Sequence, residues 1–160
     1  MLDGDLVRNN LSKDLGFTES DRDTKVRRIG FVCNLLTQNG VMAIAAAVSP
    51  YREIREELRH EIVDFVEVFV KCPLDVLVRR DTKGMYRKAL NGEILNFTGV
   101  SDPYEEPLHS DLTVETDTET VDESMAKIVA RLKELGCTIA SHDYSGFKWL
   151  CFKAPNAIFQ

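Results

Sequence analysis

The four cysteines of this 160-residue chain, Cys33, Cys72, Cys137 and Cys151, lie far apart with no C-x-x-C among them, and its three histidines, His60, His109 and His142, form no H-E-x-x-H. Zinc and redox centres need such spacings to bring their ligands together, so no metal site is expected from these residues, and reduced, scattered thiols are what remains. No apolar run approaches the roughly 18 residues of a spanning helix, and the amino end lacks a basic segment followed by an apolar one. A cytosolic (cytoplasmic) protein without a membrane partner is the expectation. Positive charge is not in excess either: 20 basic residues against 26 acidic ones give a net charge of −6, which argues against attraction to nucleic acid or to an anionic membrane. An anionic ligand must therefore be held by local arginines, lysines and backbone amides.

What the chain does contain is an ordinary apolar content of 44% and the length of one domain. Val26, Ile29, Val32, Leu35 and Leu36 recur at three- and four-residue steps between Asp21 and Asn39, and Gly40 follows, which predicts an amphipathic helix. The unbroken apolar run 41–48 predicts a strand covered on both faces, as in a parallel sheet. Ser49 as a cap and Pro50 as first helical residue predict a helix through Ile54, Leu58 and Ile62. A second strand is read over 65–70, followed by a short helix through Leu74 and Leu77, and a third over 112–115. Thr120-Val121-Asp122-Glu123 is a capping-box pattern, and the helix after it carries Met125, Ile128, Val129, Leu132 and Leu135 and stops at Gly136. Strand then helix, repeated, predicts an α/β fold of three α/β/α layers, with the ligand crevice at the carboxyl ends of parallel strands.

The segment 81–99 is too long for a plain connection. Its glycines and the basic residues Arg80, Lys83, Arg87 and Lys88 fit either a mobile phosphate-facing lid or a solvated helix with a loop. The tail 141–160, with Tyr144, Phe147, Trp149, Phe152 and Phe159, has no clear period; a docking strand, a linker and a disordered end all fit it. Taken singly, Asp3-Gly4-Asp5 reads as a turn, Phe17 and Phe97 as core aromatics, and Arg27 and Arg28 as an exposed, ion-paired helix face.

Taken in order, several motifs carry a more specific reading. They are Leu2-Asp3-Gly4-Asp5 with Val7-Arg8, Asp14-Leu15-Gly16-Phe17, Asp21-Arg22-Asp23 before Arg27-Arg28-Ile29-Gly30, and Ser49-Pro50-Tyr51-Arg52. Arg80-Asp81 with Lys83-Gly84 and Tyr86, Gly92-Glu93-Ile94 before Phe97-Thr98-Gly99, and Asp102-Pro103-Tyr104-Glu105 continue the series. In this order and spacing, over residues 2–136, the chain resembles the adenylyl-sulfate kinases, P-loop kinases that phosphorylate adenosine 5′-phosphosulfate (APS) on its ribose 3′-hydroxyl in sulfate assimilation.

The resemblance implies a P-loop kinase-like domain over 1–140 and a tail or linker over 141–160, with ATP as co-substrate, Mg²⁺ bridging its phosphates, and APS as acceptor. It implies contacts to APS from Asp5 and Arg8, with Asp5 orienting the 3′-hydroxyl or accepting its proton. Phe17 and Phe97 would sandwich the adenine. Arg22 would face the phosphosulfate, Lys83 would approach the anionic groups from the lid, and Val48 and Ser49 would meet the substrate at the end of their strand, Ser49 as a positioning residue. Asn96, next to Phe97, belongs to the same motif, and Arg80 is expected on the ATP side. A homodimer and a fusion to an ATP sulfurylase domain are assemblies that the resemblance admits.

Two departures stand out. Lys25 occupies a position where the family usually has asparagine, which makes Thr24 and Lys25 questionable ligands. Further, no lysine here is followed by serine or threonine, so the G-x-x-x-x-G-K-[ST] loop that cradles ATP phosphates is not among these residues. In the family that loop follows a first strand lying centrally, between the strands that correspond to 41–48 and 65–70. The chain is therefore expected to be a fragment that does not turn over alone, with two strand edges left unpaired unless they close up or another chain fills the gap.

Overall fold

A computed structural model describes residues 1–137 and, as backbone, residues 151–153. Five parallel strands, β1 (Leu2–Asp3), β2 (Ala45–Val48), β3 (Val68–Lys71), β4 (Leu112–Glu115) and β5 (Cys151–Lys153), form one sheet in the order β1-β2-β5-β3-β4. The helices are α1 (Gly4–Asn10), α2 (Glu19–Gln38), α3 (Arg52–Glu61), α4 (Leu74–Arg79), α5 (Met85–Leu90) and α6 (Val121–Glu134).

The strands read from the sequence are present but begin later than their apolar runs. Residues 41–44 precede β2 because Gly40, at φ +73°, turns the chain out of α2, and the Val41 amide is held by the Leu36 carbonyl. Asp64 has φ +57°, and the Glu67 amide donates to the Asp111 carboxylate at 2.8 Å instead of to a neighbouring strand, so β3 starts at Val68. The predicted cap of α3 is corrected too. Tyr51, not Ser49, is the N-cap residue; it makes no side-chain cap, and Pro50 lies outside the helix. The orphan amide of Arg52 is satisfied from a distance, by the Glu105 carboxylate at 2.7 Å. The predicted box at Thr120 and Glu123 forms, and Thr18 with Asp21 makes a second one that opens α2.

Two clusters make the core. One joins Val7, Val26, Ile29, Cys33, Ala45, Ala47, Ile54 and Leu58, from α1, α2, β2 and α3; the other joins Val66, Val68, Val70 and Val114, covered by Ile128 and Leu132 of α6. Gly30 lets α2 and α3 touch, since a Cβ there would lie 2.3 Å from Leu58 Cδ2. Burial pushes the Cys33 thiol up to about 11, which leaves it an inert core residue.

The central position between β2 and β3 belongs to β5. It pairs Ala46, Ala47 and Val48 of β2 with Cys151, Phe152 and Lys153, and Val70 of β3 with Lys153. The two edges expected to lie open are thus bridged by the chain's own distal segment, neither closing on each other nor requiring a second chain. Of the tail alternatives, a docking strand is what residues 151–153 form; Tyr144, Phe147, Trp149 and Phe159 lie outside the described residues.

A buried ionic network braces the sheet against α3. Arg55 and Glu67, both 2% exposed, pair at 2.9 Å, and Arg59 reaches Glu67 and Asp111 at 3.0 Å each. Arg55 also donates to the Ser49 and Glu105 carbonyls at 2.5 Å. One guanidinium therefore fixes the exit of β2 to the 98–106 loop.

Candidate active site

A cavity of about 440 Å³ opens at the carboxyl ends of β1 and β2, the expected place for a ligand in a parallel sheet. Its floor is Ala46, Ala47 and Val48; Asp3, Gly4, Asp5 and Arg8 form one wall, Phe17, Arg22 and Lys25 another, and Arg80 to Lys83, Met85, Tyr86 and Phe97 the third.

The two aspartates of the opening motif have separate jobs. Asp3 caps α1, its carboxylate accepting the amides of Asp5 at 2.9 Å and Leu6 at 3.2 Å. Asp5 is thereby left with an exposed side chain at the cavity mouth, where Lys83 meets it at 3.1 Å. Both partners are open to water, so this link between α1 and the 81–99 segment is weak and screened by salt. That segment is a short helix, α5, with loops at both ends, and it walls the cavity. Gly84, at φ +67°, turns the chain into α5, and Asp81 accepts the amides of Met85 at 2.8 Å and Arg87 at 2.9 Å.

The aromatic pair is anchored from behind. Arg8 lies over the Phe17 ring at 4.3 Å and donates to the Leu15 and Gly16 carbonyls. Phe97 meets the buried Tyr86 ring at 5.0 Å and an interplanar angle of 75°. Arg22 spans the two sides, donating to the carbonyl of Phe17 at 3.1 Å and to that of Asn96, with Asp102 at 3.6 Å. A single rigid fork thus sets the spacing of the backbones that carry Phe17 and Phe97. Asp102 in turn accepts from the Tyr51 hydroxyl at 2.8 Å; burial, and then that hydrogen bond, hold this phenol well above its ordinary range.

Of the residues expected at the site, Asp5, Arg8, Phe17, Arg22, Val48, Arg80, Lys83 and Phe97 line one cavity. Ser49 and Asn96 do not. Ser49 is fully buried behind Val48 with its hydroxyl unpartnered among the described residues, and Asn96, at φ +55°, contributes a carbonyl to Arg22. Arg80 donates to the Thr116 carbonyl at 2.9 Å. Arg27 and Arg28 form two-pronged ion pairs with Glu57 and Asp14, all at 2.6–2.7 Å, away from the cavity. Sequence reasoning did not assign Tyr86 or Met85 to the site; an aromatic two residues after a lid glycine was the available signal. Five cations and three carboxylates line the cavity of a chain whose net charge is −6, so the site is locally configured for an anion. Among the described residues no three acidic, histidine or cysteine side chains converge to hold a metal.

A parallel sheet flanked by helices, with an anion-seeking cavity at its strand ends, is the α/β arrangement that nucleotide-binding folds, P-loop kinases among them, share. The adenylylsulphate kinase family model matches residues 1–115, and the chain belongs to that family of phosphotransferases. It is 58% identical over 136 residues to the adenylyl-sulfate kinase of Rippkaea orientalis, covering 85% of this chain and 75% of that one. Identity is 57% over 136 residues to a probable bifunctional SAT/APS kinase of Sorangium cellulosum, covering 85% of this chain and 23% of the relative. Among solved structures, the Mycobacterium tuberculosis APS kinase in complex with AMPPNP and APS superposes with a TM-score of 0.77 at 40% identity, covering 82% of this chain and 78% of that one. A hexameric APS kinase from Thiobacillus denitrificans gives a TM-score of 0.64 at 33% identity, covering 88% and 23%.

Proposed function

We propose that the cavity is the acceptor site of an adenylyl-sulfate kinase, holding APS while ATP phosphorylates its ribose 3′-hydroxyl to give 3′-phosphoadenylyl sulfate. The observation that carries this reading is a single cavity combining two braced aromatic rings, an excess of cations and one uncapped carboxylate at its mouth. Phe17 and Phe97 would take the adenine between them, and Arg22 keeps them in register. Arg8 and Lys83 would neutralise the phosphosulfate. Asp5 would orient the 3′-hydroxyl and receive its proton, which requires Lys83 to yield its present pairing to the substrate. Arg80 would face the ATP side, and Val48 would shape the floor, with Ser49 buried behind it. Mg²⁺ would supply charge neutralisation on the ATP phosphates. Among the described residues no three acidic, histidine or cysteine side chains converge to hold it, and every step assigned to this chain concerns binding, orientation or the proton.

A second reading, an APS- or PAPS-binding module without catalysis, is favoured by the lack of G-x-x-x-x-G-K-[ST] in these residues. One experiment addresses both. Calorimetric titration of the chain with APS, without ATP, is expected to show saturable binding that Phe97→Ala weakens by roughly five- to a hundredfold, the range for loss of a base-stacking ring. Absence of binding contradicts the acceptor-site reading. Adding MgATP to the same sample is expected to yield no phosphoryl transfer above background; turnover would show the motif to be dispensable. Homodimer formation and fusion to an ATP sulfurylase domain are further proposals that this titration leaves untouched.

A further inference from the structure

The five cations around the cavity are not equivalent. Arg8 is committed to two carbonyls and the Phe17 ring, Arg22 to two carbonyls and Asp102, Arg80 to the Thr116 carbonyl, and Lys83 to Asp5. Among the described residues Lys25 alone of the five has an ammonium with no hydrogen bond or ion pair. It is half-buried on α2 and reaches to the base of α1, where its Nζ lies 3.6 Å from the position a Cβ on Gly4 would take. That same position is 3.4 Å from the Ala46 carbonyl, so Gly4, Lys25 and the end of β2 converge at the cavity floor. An unpaired cation with water partly removed is costly unless an anion arrives to compensate it.

We propose that Lys25 is a specificity-determining contact of the cavity, an ammonium that, beside Arg8 and Lys83, holds the charged anhydride end of an adenine nucleotide and strengthens the preference for such ligands over the neutral nucleoside. This rests on the acceptor-site reading for the identity of the nucleotide, though not for the presence of an anion. The electrostatics agree with the geometry: burial, and after it the Arg8 charge, hold the Lys25 ammonium below its usual range, with Arg22 acting in the same sense and Asp5 and Asp3 opposing. A bound anion would relieve that stress.

The test compares wild type, Lys25→Met, which keeps the stem and removes the charge, and Lys25→Arg, which keeps the charge. Affinities for APS and adenosine are measured by calorimetry, after thermal melting has shown each variant to be folded. Lys25→Met is expected to bind APS about ten- to a hundredfold more weakly, the worth of one charge-assisted hydrogen bond, with adenosine changed less than about twofold and Lys25→Arg recovering most of the loss. Equal APS affinity in wild type and Lys25→Met overturns the role of Lys25 and leaves the acceptor site standing. Should wild type not bind APS at all, the acceptor-site reading falls and Lys25 is judged separately with inorganic pyrophosphate. Slower trinitrophenylation of Lys25 in the presence of pyrophosphate, mapped by mass spectrometry, supports the anion contact, and an unchanged rate overturns it.

Discussion

Replacing Phe152 by proline is expected to lower the unfolding free energy by about 1–3 kcal/mol beyond the loss of the ring, the cost of leaving a buried backbone partner unsatisfied, read as a fall in the urea midpoint. The reason is backbone position rather than side chain. Phe152 sits opposite Ala47 in β5, the strand flanked on both sides by β2 and β3. Proline has no amide proton to donate and is found on sheet edges, hardly ever in a central strand. The loss would spread because β5 lies between the strands of the two core clusters: β2 belongs to the first, and β3 and β4 to the second. Phe152→Ala, which retains the amide, is the control and should cost distinctly less. Equal midpoints for the two variants would show that residues 151–153 are not the strand that closes the sheet.

Glu67→Ala is expected to cost about 3–5 kcal/mol, the penalty for breaking a buried ion pair from one side. Glu67 is the shared partner of Arg55 and Arg59, and Arg55 is 2% exposed, so its charge would be stranded in the interior. The consequence should reach the site, because Arg55 ties the Ser49 carbonyl at the end of β2 to the Glu105 carbonyl, and Asp102 in the same loop holds Arg22. Chemical denaturation measures the first effect. Exposed pairs such as Arg79 with Asp75 provide the comparison: Asp75→Ala should move the midpoint little, since both side chains are about two-thirds exposed. A small change for Glu67→Ala would mean that water or a repacked loop takes over its role.

The kind of each large element was legible because periodicity is a local property. Val26, Ile29 and Leu36 mark a helix face, and Val68, Phe69 and Val70, all buried, mark a strand covered on both sides. Boundaries were less legible wherever a distant group satisfies an end: Glu105 caps α3 from more than fifty residues away, and Asp111 captures the Glu67 amide. The place of β5 was invisible for a related reason. Its short run has no period, and its partners, Ala46 to Val48 and Val70, are contributed from about a hundred residues earlier.

At the site, most residues of the ordered motifs share one cavity, but the sequence could not say what each would touch. Arg22 looked like an anion ligand and is engaged by carbonyls beside both aromatic rings; Ser49 looked like a hydroxyl contact and is buried behind Val48. Lys25 looked like a mismatch and is the cavity cation left unpaired among the described residues. Such distinctions depend on which of several nearby acceptors a long side chain reaches, a question of three-dimensional packing that linear spacing does not encode.

The acceptor-site account is tested most directly by amide hydrogen exchange on the full chain with and without APS. Slowed exchange is predicted around residues 15–18, 81–86 and 96–102, which carry Phe17, the α5 wall and Phe97, with α6 unchanged. Protection confined to α6 and β4, or none at saturating APS, would contradict the placement of the substrate between α1 and the 81–99 segment.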